Sequence, residues 1–174
     1  VYDYPFLSSS ANHIFDITVG YSSDSAASSS AATQNAKKIN IYNQMAQVLV
    51  GYDHTGSVRL FDQDGDLTAG SKIKEALFIN FSRLLVKDEI KKGSFSITFG
   101  TASSFTIPFG TTGIGAQNLK IGDTNAKNDY KINSPAGEYG ILYPQSPAAS
   151  TVPHGLIFYQ AGIAVINLSG TSVT

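Results

Sequence analysis

Hydrophobic and polar residues alternate most clearly in the middle of the chain. Between Ser94 and Phe99, an aromatic or branched residue occupies every second position, and serine or threonine occupies the positions between. This period of two is typical of a half-buried β-strand. The apolar run Leu77–Val86 predicts a second strand, although Phe78, Phe81 and Leu85 also fit a helix. A short charged turn ending in Gly93 separates the two segments. The block therefore predicts a β-rich structural unit and carries no catalytic pattern.

One segment follows a helical period instead. Its apolar residues fall at offsets of 0, 4, 7, 8 and 11, which places them on one face of a helix. They are Ile41, Met45, Val48, Leu49 and Tyr52. Thr33 or Asn35 can cap the start of this helix, and Gly51 can end it. The sequence thus predicts one amphipathic helix with this set of residues facing the core.

Other segments also predict strands and loops. The shorter predicted strands are His13–Val19, Ser57–Phe61, Ser104–Phe109, Tyr130–Ile132 and Glu138–Tyr143. Gly110–Gly122 is predicted to be a glycine-rich loop around the short apolar stretch Leu119–Ile121. The nearly unbroken apolar run His154–Asn167 suits a central strand or hairpin that is buried on both faces. The Ser/Ala-rich segment Ser22–Thr33 predicts a mobile loop, because it lacks the hydrophobicity to hold a fixed shape.

These elements predict a mainly β (α+β) fold. We expect an antiparallel sandwich or barrel-like sheet that carries one amphipathic helix. A chain of 174 residues fits one domain. Residues 12–174 are predicted to form that single β-rich domain, and residues 1–11, which are rich in aromatics, are predicted to form an extended arm.

Composition bears on partners more than on chemistry. Charged residues make up 14% of the chain, against about 25% in typical soluble proteins. A surface so short of charge is poorly protected against association, so we expect a homo-oligomer or burial by neighbouring subunits. The alternative is a neutral polar surface on a secreted or hardy monomer.

Several classes of partner and site are not expected. The net charge is −1 and no basic stripe is present, so nucleic-acid binding is not predicted, because phosphates require clustered lysine and arginine. The chain has no cysteine, which excludes disulfides, thiolate metal sites and cysteine nucleophiles. No apolar run reaches the roughly 18 residues of a membrane helix, so no membrane partner is predicted.

An acidic cluster is the strongest candidate for metal binding. Asp62, Asp64 and Asp66 fall within five residues, and calcium prefers such oxygen ligands. If Gly65 takes the glycine slot of an EF-hand loop, however, Leu60 falls at the first ligand position, and the template fails. The sequence therefore predicts a solvated hairpin turn at Asp64-Gly65 and no metal site, with calcium binding as the alternative.

No pattern in the sequence predicts catalysis or a cofactor. No metal-ligand spacing relates the three histidines, which are His13, His54 and His154. No Gly-x-Ser-x-Gly nucleophile elbow is present either. The glycine-rich segment Gly110–Gly115 lacks the Lys-Ser/Thr pair of a phosphate-binding loop. We therefore predict a protein that is not an enzyme, with no catalytic, cofactor-binding or metal residues.

The aromatic residues allow two interpretations. The chain has nine tyrosines and ten phenylalanines but no tryptophan. Exposed aromatics could line a sugar-binding face, as in carbohydrate-binding β-sandwiches. Most of them alternate with polar residues in predicted strands, however, and that pattern is typical of a core.

Three motifs together resemble a known family. They are Asn80–Arg83, then Lys87–Phe95, then Tyr139–Tyr143 followed by Gly162–Asn167. Their order resembles that of virion structural proteins of large tailed phages, notably T4-like marine and cyanobacterial myoviruses, over roughly residues 12 to 170. In many chains of that family a Tyr-Pro-Asp precedes the final strand. Tyr143-Pro144-Gln145 departs from this pattern, and a loop follows it.

The resemblance implies a role as a part of the virus particle. We therefore expect a non-enzymatic virion structural subunit of a tailed bacteriophage, located in the capsid or tail, that acts by assembly with other virion proteins. The resemblance supplies no catalytic motif. The alternative is a β-sandwich module that binds glycans on a phage or as a secreted protein.

Overall fold

Antiparallel strands make up most of the computed structural model, which describes residues 2–3, 12–29, 31, 33–81, 88–99, 119–146 and 148–169. Within these ranges one helix is present, α1 (Asn35–Leu49). The first six strands are β1 (Tyr2–Asp3), β2 (Asn12–His13), β3 (Phe15–Tyr21), β4 (Phe61–Asp62), β5 (Lys72–Ile73) and β6 (Glu75–Phe81). The other six are β7 (Ser96–Phe99), β8 (Leu119–Gly122), β9 (Lys131–Ser134), β10 (Gly137–Ser146), β11 (Gly155–Phe158) and β12 (Ile163–Asn167).

One eight-stranded sheet organises the fold. Its order is β3-β6-β12-β11-β10-β8-β7, and β9 pairs with β10. The neighbouring strands of this sheet are antiparallel, and the sheet curls into a half-barrel. Two short pairs, β1 with β2 and β4 with β5, lie outside it. The predicted mainly β fold with an antiparallel, barrel-like sheet and one helix is therefore confirmed.

Both faces of the sheet are covered by apolar side chains. Along β6, Ala76 and Phe78 point to one core cluster, while Ile79 points to another. The paired strand β12 alternates in the same way, with Val165 on the first face and Ala164 on the second. The predicted hairpin in the run 154–167 is confirmed as β11 and β12, whose residues are all buried.

The first face of the sheet is covered by α1, which lies against β3. A Cβ atom at Gly20 would lie only 2.9 Å from the backbone nitrogen of Tyr42 and 3.1 Å from a Phe78 ring carbon. Glycine at this position therefore permits the helix to approach the sheet. Tyr42 is fully buried, donates its hydroxyl to the Ile73 carbonyl and accepts a hydrogen bond from the Phe61 amide at 3.2 Å.

The buried face of α1 differs from the predicted one. Tyr42, Ala46 and Leu49 are buried, whereas Val48 and Tyr52 are 64% and 54% exposed. Ile41 and Met45 pack at the margin of the core. Only Leu49 of the predicted face is thus fully buried, because contact with β3 and β6 rotates the helix toward Tyr42.

Of the two predicted ends of α1, one is confirmed and the other is wrong. Gly51 follows the helix in the left-handed conformation, with φ of 74°, and its amide donates to the Ala46 carbonyl, so the predicted C-terminal end is confirmed. The N-terminal cap is Gln34, and no side-chain capping bond is present there. The prediction of Thr33 or Asn35 as cap is therefore wrong.

Other predicted segments are corrected in their details. The segment predicted as a mobile loop is held in place at Ser25, whose buried hydroxyl donates to Glu75 at 2.7 Å. The predicted strand Ser57–Phe61 is reduced to a single bridge between Tyr52 and Val58 and to Phe61, the first residue of β4. The end of the predicted loop Gly110–Gly122 forms strand β8 instead. The predicted strand Ser104–Phe109 lies outside the described residues. No helix in the described part of the chain is long and apolar enough to span a membrane.

Candidate functional site

The acidic loop, Asp62–Gly70, is the one place in the described ranges where three potential metal-ligating side chains converge. One carboxylate oxygen from each of Asp62, Asp64 and Asp66 lies within 4.8 Å of the others. Asp62 belongs to β4, and the chain returns to the pairing strand β5 at Lys72. The short hairpin β4–β5 therefore gathers the three carboxylates at its connecting loop.

Asp62 is not solvated, although the sequence predicted a solvated turn here. Its side chain is 0% exposed and forms an ion pair with Lys72. Burial raises the pKa of the Asp62 carboxyl, and Lys72 opposes this effect. Asp64 and Asp66 are exposed, as predicted. The Thr68 amide donates to Asp66 at 2.8 Å and lowers the pKa of that carboxyl.

The acidic loop is anchored to the main sheet. The Tyr139 hydroxyl lies 2.6 Å from the Gly65 carbonyl oxygen and is also hydrogen bonded to Asn133. Burial raises the pKa of Tyr139 to about 12, so this hydroxyl stays protonated and can donate near neutral pH. Gln63 donates its side-chain amide to the Pro153 carbonyl. The loop is thus held at both of its sides by strand β10 and the segment before β11.

A second polar centre lies on the opposite face of the sheet, around Asp123. This buried carboxylate accepts hydrogen bonds from the amides of Gly93 at 2.7 Å and Phe95 at 2.9 Å. The Tyr159 hydroxyl lies 3.3 Å from it. The carboxylate fixes the turn before β7 against the sheet.

The sequence did not single out Asp123, and no local motif marks it. The Lys92 side chain, next in the chain to Gly93, pairs with Glu138 and lies 4.9 Å from the centre of the Tyr130 ring. The Glu138 partner raises the pKa of Lys92. For the acidic loop, in contrast, the close spacing of Asp62, Asp64 and Asp66 had already marked them in the sequence as candidate ligands.

The two histidines whose side chains the structure describes, His54 and His154, are not part of a metal-ligating cluster. His54 is exposed. The buried Nε2 atom of His154 has no hydrogen-bond partner among the described residues, and burial lowers the pKa of this imidazole. The side chain of His13 lies outside the described residues. His154 is therefore best described as a neutral histidine at the edge of the core.

We expect His154 to make folding stability depend on pH. An unfolded histidine titrates near pH 6.5, and the folded pKa of His154 lies lower. Below pH 6.5 the unfolded state thus binds more protons, so this contribution to stability is complete above about pH 7 and is lost as pH falls. Between pH 7.5 and pH 5, the free energy of unfolding in urea should fall less for His154→Gln than for the wild type. An equal fall in both proteins would contradict the assignment. So would an exposed control, His54→Gln, that reduces the fall as much as His154→Gln does.

The largest aromatic side chains belong to the core, as their alternation predicted. Six of them are among the largest fully buried side chains: Tyr42, Tyr139, Tyr159, Phe61, Phe78 and Phe158. Tyr143 is only half-buried and lines a cleft of about 410 Å³ together with Asn125 and Gln145. A second cleft of about 470 Å³ opens beside the acidic loop, at Leu67, Thr68 and Lys72.

Comparison with known proteins gives no match: no family model, curated protein or solved structure is significantly similar to this chain. The resemblance to phage virion proteins therefore stays a prediction. Function has to be inferred from the surface and from the geometry of the polar centres.

Proposed function

We propose that this chain is a non-enzymatic virion structural subunit of a tailed phage, which acts by assembly with other particle proteins and with copies of itself. The resemblance of its motifs to those of phage virion proteins supports this role. Its low content of charge supports it as well, because a weakly charged surface favours association. The polar centre at Asp123 is used to hold the fold together, which also suits a structural subunit.

The observation that carries the proposal is a set of exposed apolar side chains near the contact between α1 and β9. The Ser134 hydroxyl donates to the Leu49 carbonyl, so the end of α1 and the end of β9 are in contact. Three large apolar side chains near this contact are exposed, Ile132 by 73%, Val48 by 64% and Tyr52 by 54%. We call Val48, Tyr52 and Ile132 the apolar end surface.

A second copy of the chain is the occupant that this surface suits best. Burying exposed apolar area stabilises an association by about 25 cal/mol per Å². Exposed apolar patches therefore often mark interaction sites. The net charge of −1 means that two copies scarcely repel each other. The apolar end surface therefore favours self-association as the first step of assembly.

Charged substitutions on the apolar end surface test this proposal. We expect the wild-type chain to sediment as an oligomer, and the double variant Val48→Lys/Ile132→Lys to sediment as a monomer with an unchanged circular dichroism spectrum. Val152 is also exposed, by 59%, and lies near the acidic loop, so Val152→Lys is the matched control and should remain oligomeric. A wild-type chain that is monomeric at high concentration, or a double variant that still associates, would contradict self-association.

Glycan binding remains a second candidate because of the cleft at Tyr143. A partly exposed aromatic ring beside the Asn125 and Gln145 amides combines the stacking and hydrogen-bonding groups that sugars require. Burial and nearby Asp129 raise the pKa of Tyr143 to about 12, so its hydroxyl stays protonated. Binding on a glycan array that is lost in Tyr143→Ala would favour this function over assembly alone.

A further inference from the structure

We propose that the acidic loop binds a divalent cation, preferably calcium, between the carboxylates of Asp62, Asp64 and Asp66 and the carbonyl oxygen of Thr68. This inference is independent of the virion role. It reverses the expectation from the sequence, and it rests on the loop's backbone conformation, on a buried carboxylate oxygen and on the position of a lysine ammonium.

The backbone places the residues in the order of a calcium loop. EF-hand loops take ligands from positions 1, 3 and 5, turn sharply at position 6 and use the carbonyl of position 7. Leu67 has φ of 63°, the left-handed conformation that is usual for glycine. If Leu67 is position 6, then Asp62 is position 1 and Thr68 is position 7. When the EF-hand template was applied to the sequence, Gly65 was placed at position 6, and every ligand position was shifted as a result.

Asp62 supplies the observation that points to a bound cation. Its side chain is fully buried, and among the described residues its Oδ1 atom has no hydrogen-bond partner. A Cβ atom at Gly70 would lie 3.7 Å from this oxygen and 3.5 Å from Oδ2 of Asp64, so both oxygens face the space beside Gly70. A buried carboxylate oxygen without a partner is costly, and a bound cation would satisfy it.

The ammonium of Lys72 already marks a position where oxygens converge on positive charge. It pairs with Oδ2 of Asp62 and lies 3.3 Å from the Thr68 carbonyl oxygen and 3.5 Å from that of Ala69. One ammonium neutralises only one of the three carboxylates in the loop. A divalent cation would balance the other two, and Lys72 would compete with it for Asp62 and Thr68.

The ligand chemistry favours calcium, bound weakly. All four proposed protein ligands are oxygen atoms, which hard cations prefer. The loop lacks the bidentate glutamate of position 12, where Ile73 stands and is buried, so waters would complete the coordination. The cleft beside Thr68 gives these waters and the ion access. We therefore expect a dissociation constant of about 1 mM, in the range of extracellular calcium modules.

Calcium titration of the intact chain tests the proposal. With a dissociation constant of about 1 mM, 10 mM CaCl₂ should raise the ratio of folded to unfolded protein about eleven-fold. For a chain of this size the melting temperature should then rise by about 3–6 °C, relative to NaCl of equal ionic strength. Asp64 is exposed, so Asp64→Asn should fold normally and lose the shift. The control Asp88→Asn, at an exposed position outside the loop, should retain it.

Two further measurements separate a calcium site from a loop that lysine alone neutralises. Terbium should bind in place of calcium and emit by energy transfer from Tyr139, which is hydrogen bonded to the loop, and CaCl₂ should quench the emission. Lys72→Gln removes the competing ammonium and should produce the melting shift at several-fold lower calcium. If neither the wild type nor Lys72→Gln shows calcium-competed terbium emission, or if Asp64→Asn keeps the full melting shift, the proposal is wrong.

Discussion

Replacing Asp123 with alanine is expected to destabilise the fold by about 3–5 kcal/mol. The carboxylate accepts hydrogen bonds from the amides of Gly93 and Phe95 and lies next to the Tyr159 hydroxyl. Removing it leaves the Phe95 amide and the Tyr159 hydroxyl buried without an acceptor, at about 1–3 kcal/mol each. The partly buried amide of Gly93 loses its acceptor as well. The free energy of unfolding in urea measures the effect.

An isosteric variant separates lost hydrogen bonds from lost volume. Asp123→Asn keeps the shape and one acceptor oxygen, so its loss of stability should fall between those of the wild type and Asp123→Ala. Ser94→Ala is a suitable control, because Ser94 is exposed and lies in the same turn. A cost for Asp123→Ala below about 1 kcal/mol would show that the turn does not depend on this carboxylate.

Truncating Leu49 is expected to have the second large effect. The side chain is 0% exposed and belongs to the core cluster between α1 and the sheet. Leu49→Ala should lower the free energy of unfolding by about 2–5 kcal/mol, the usual cost of such a cavity. Thermal or urea unfolding measures the change.

The adjacent residue provides the control for this helix face. Val48 is 64% exposed, so Val48→Ala should change stability by about 0.5 kcal/mol or less. The sequence had placed both residues on the buried face. Equal costs for the two variants would mean that the original prediction of the face is right and the observed rotation of α1 is wrong.

The sheet could be predicted because its signal is local. Alternation in Ser94–Phe99 and the unbroken apolar run before Asn167 arise from which faces are buried, and both are visible in single segments. The order of strands in the sheet was not predicted, because pairing such as that of β6 with β12 joins residues far apart in the chain. Periodicity carries no information about such pairs.

The buried face of the helix could not be predicted from the local pattern. A period of 3.6 residues is compatible with a buried apolar face that includes Val48. Packing of the helix against Gly20 buries Tyr42 and Ala46 instead. A buried tyrosine hydroxyl needs a hydrogen-bond partner. That partner is the Ile73 carbonyl, which only the folded chain brings to the helix.

The acidic loop was predicted only in part. Leucine is not expected in a left-handed conformation, so the glycine at position 65 was taken as the turn residue. Gly65 does adopt that conformation, with φ of 76°, but so does Leu67, with φ of 63°, and the side chain of Leu67 is held in the core. Packing of one side chain thus determines the register of the whole candidate cation site.

The role in the particle is the central proposal, and imaging the native phage tests it most directly. An antibody raised against the chain should label purified particles at fixed positions, and a reconstruction should place this fold there in repeated copies. The apolar end surface, formed by Val48, Tyr52 and Ile132, should then contact a neighbouring copy. Purified particles that lack the chain, or copies whose apolar end surface faces solvent, would contradict the account.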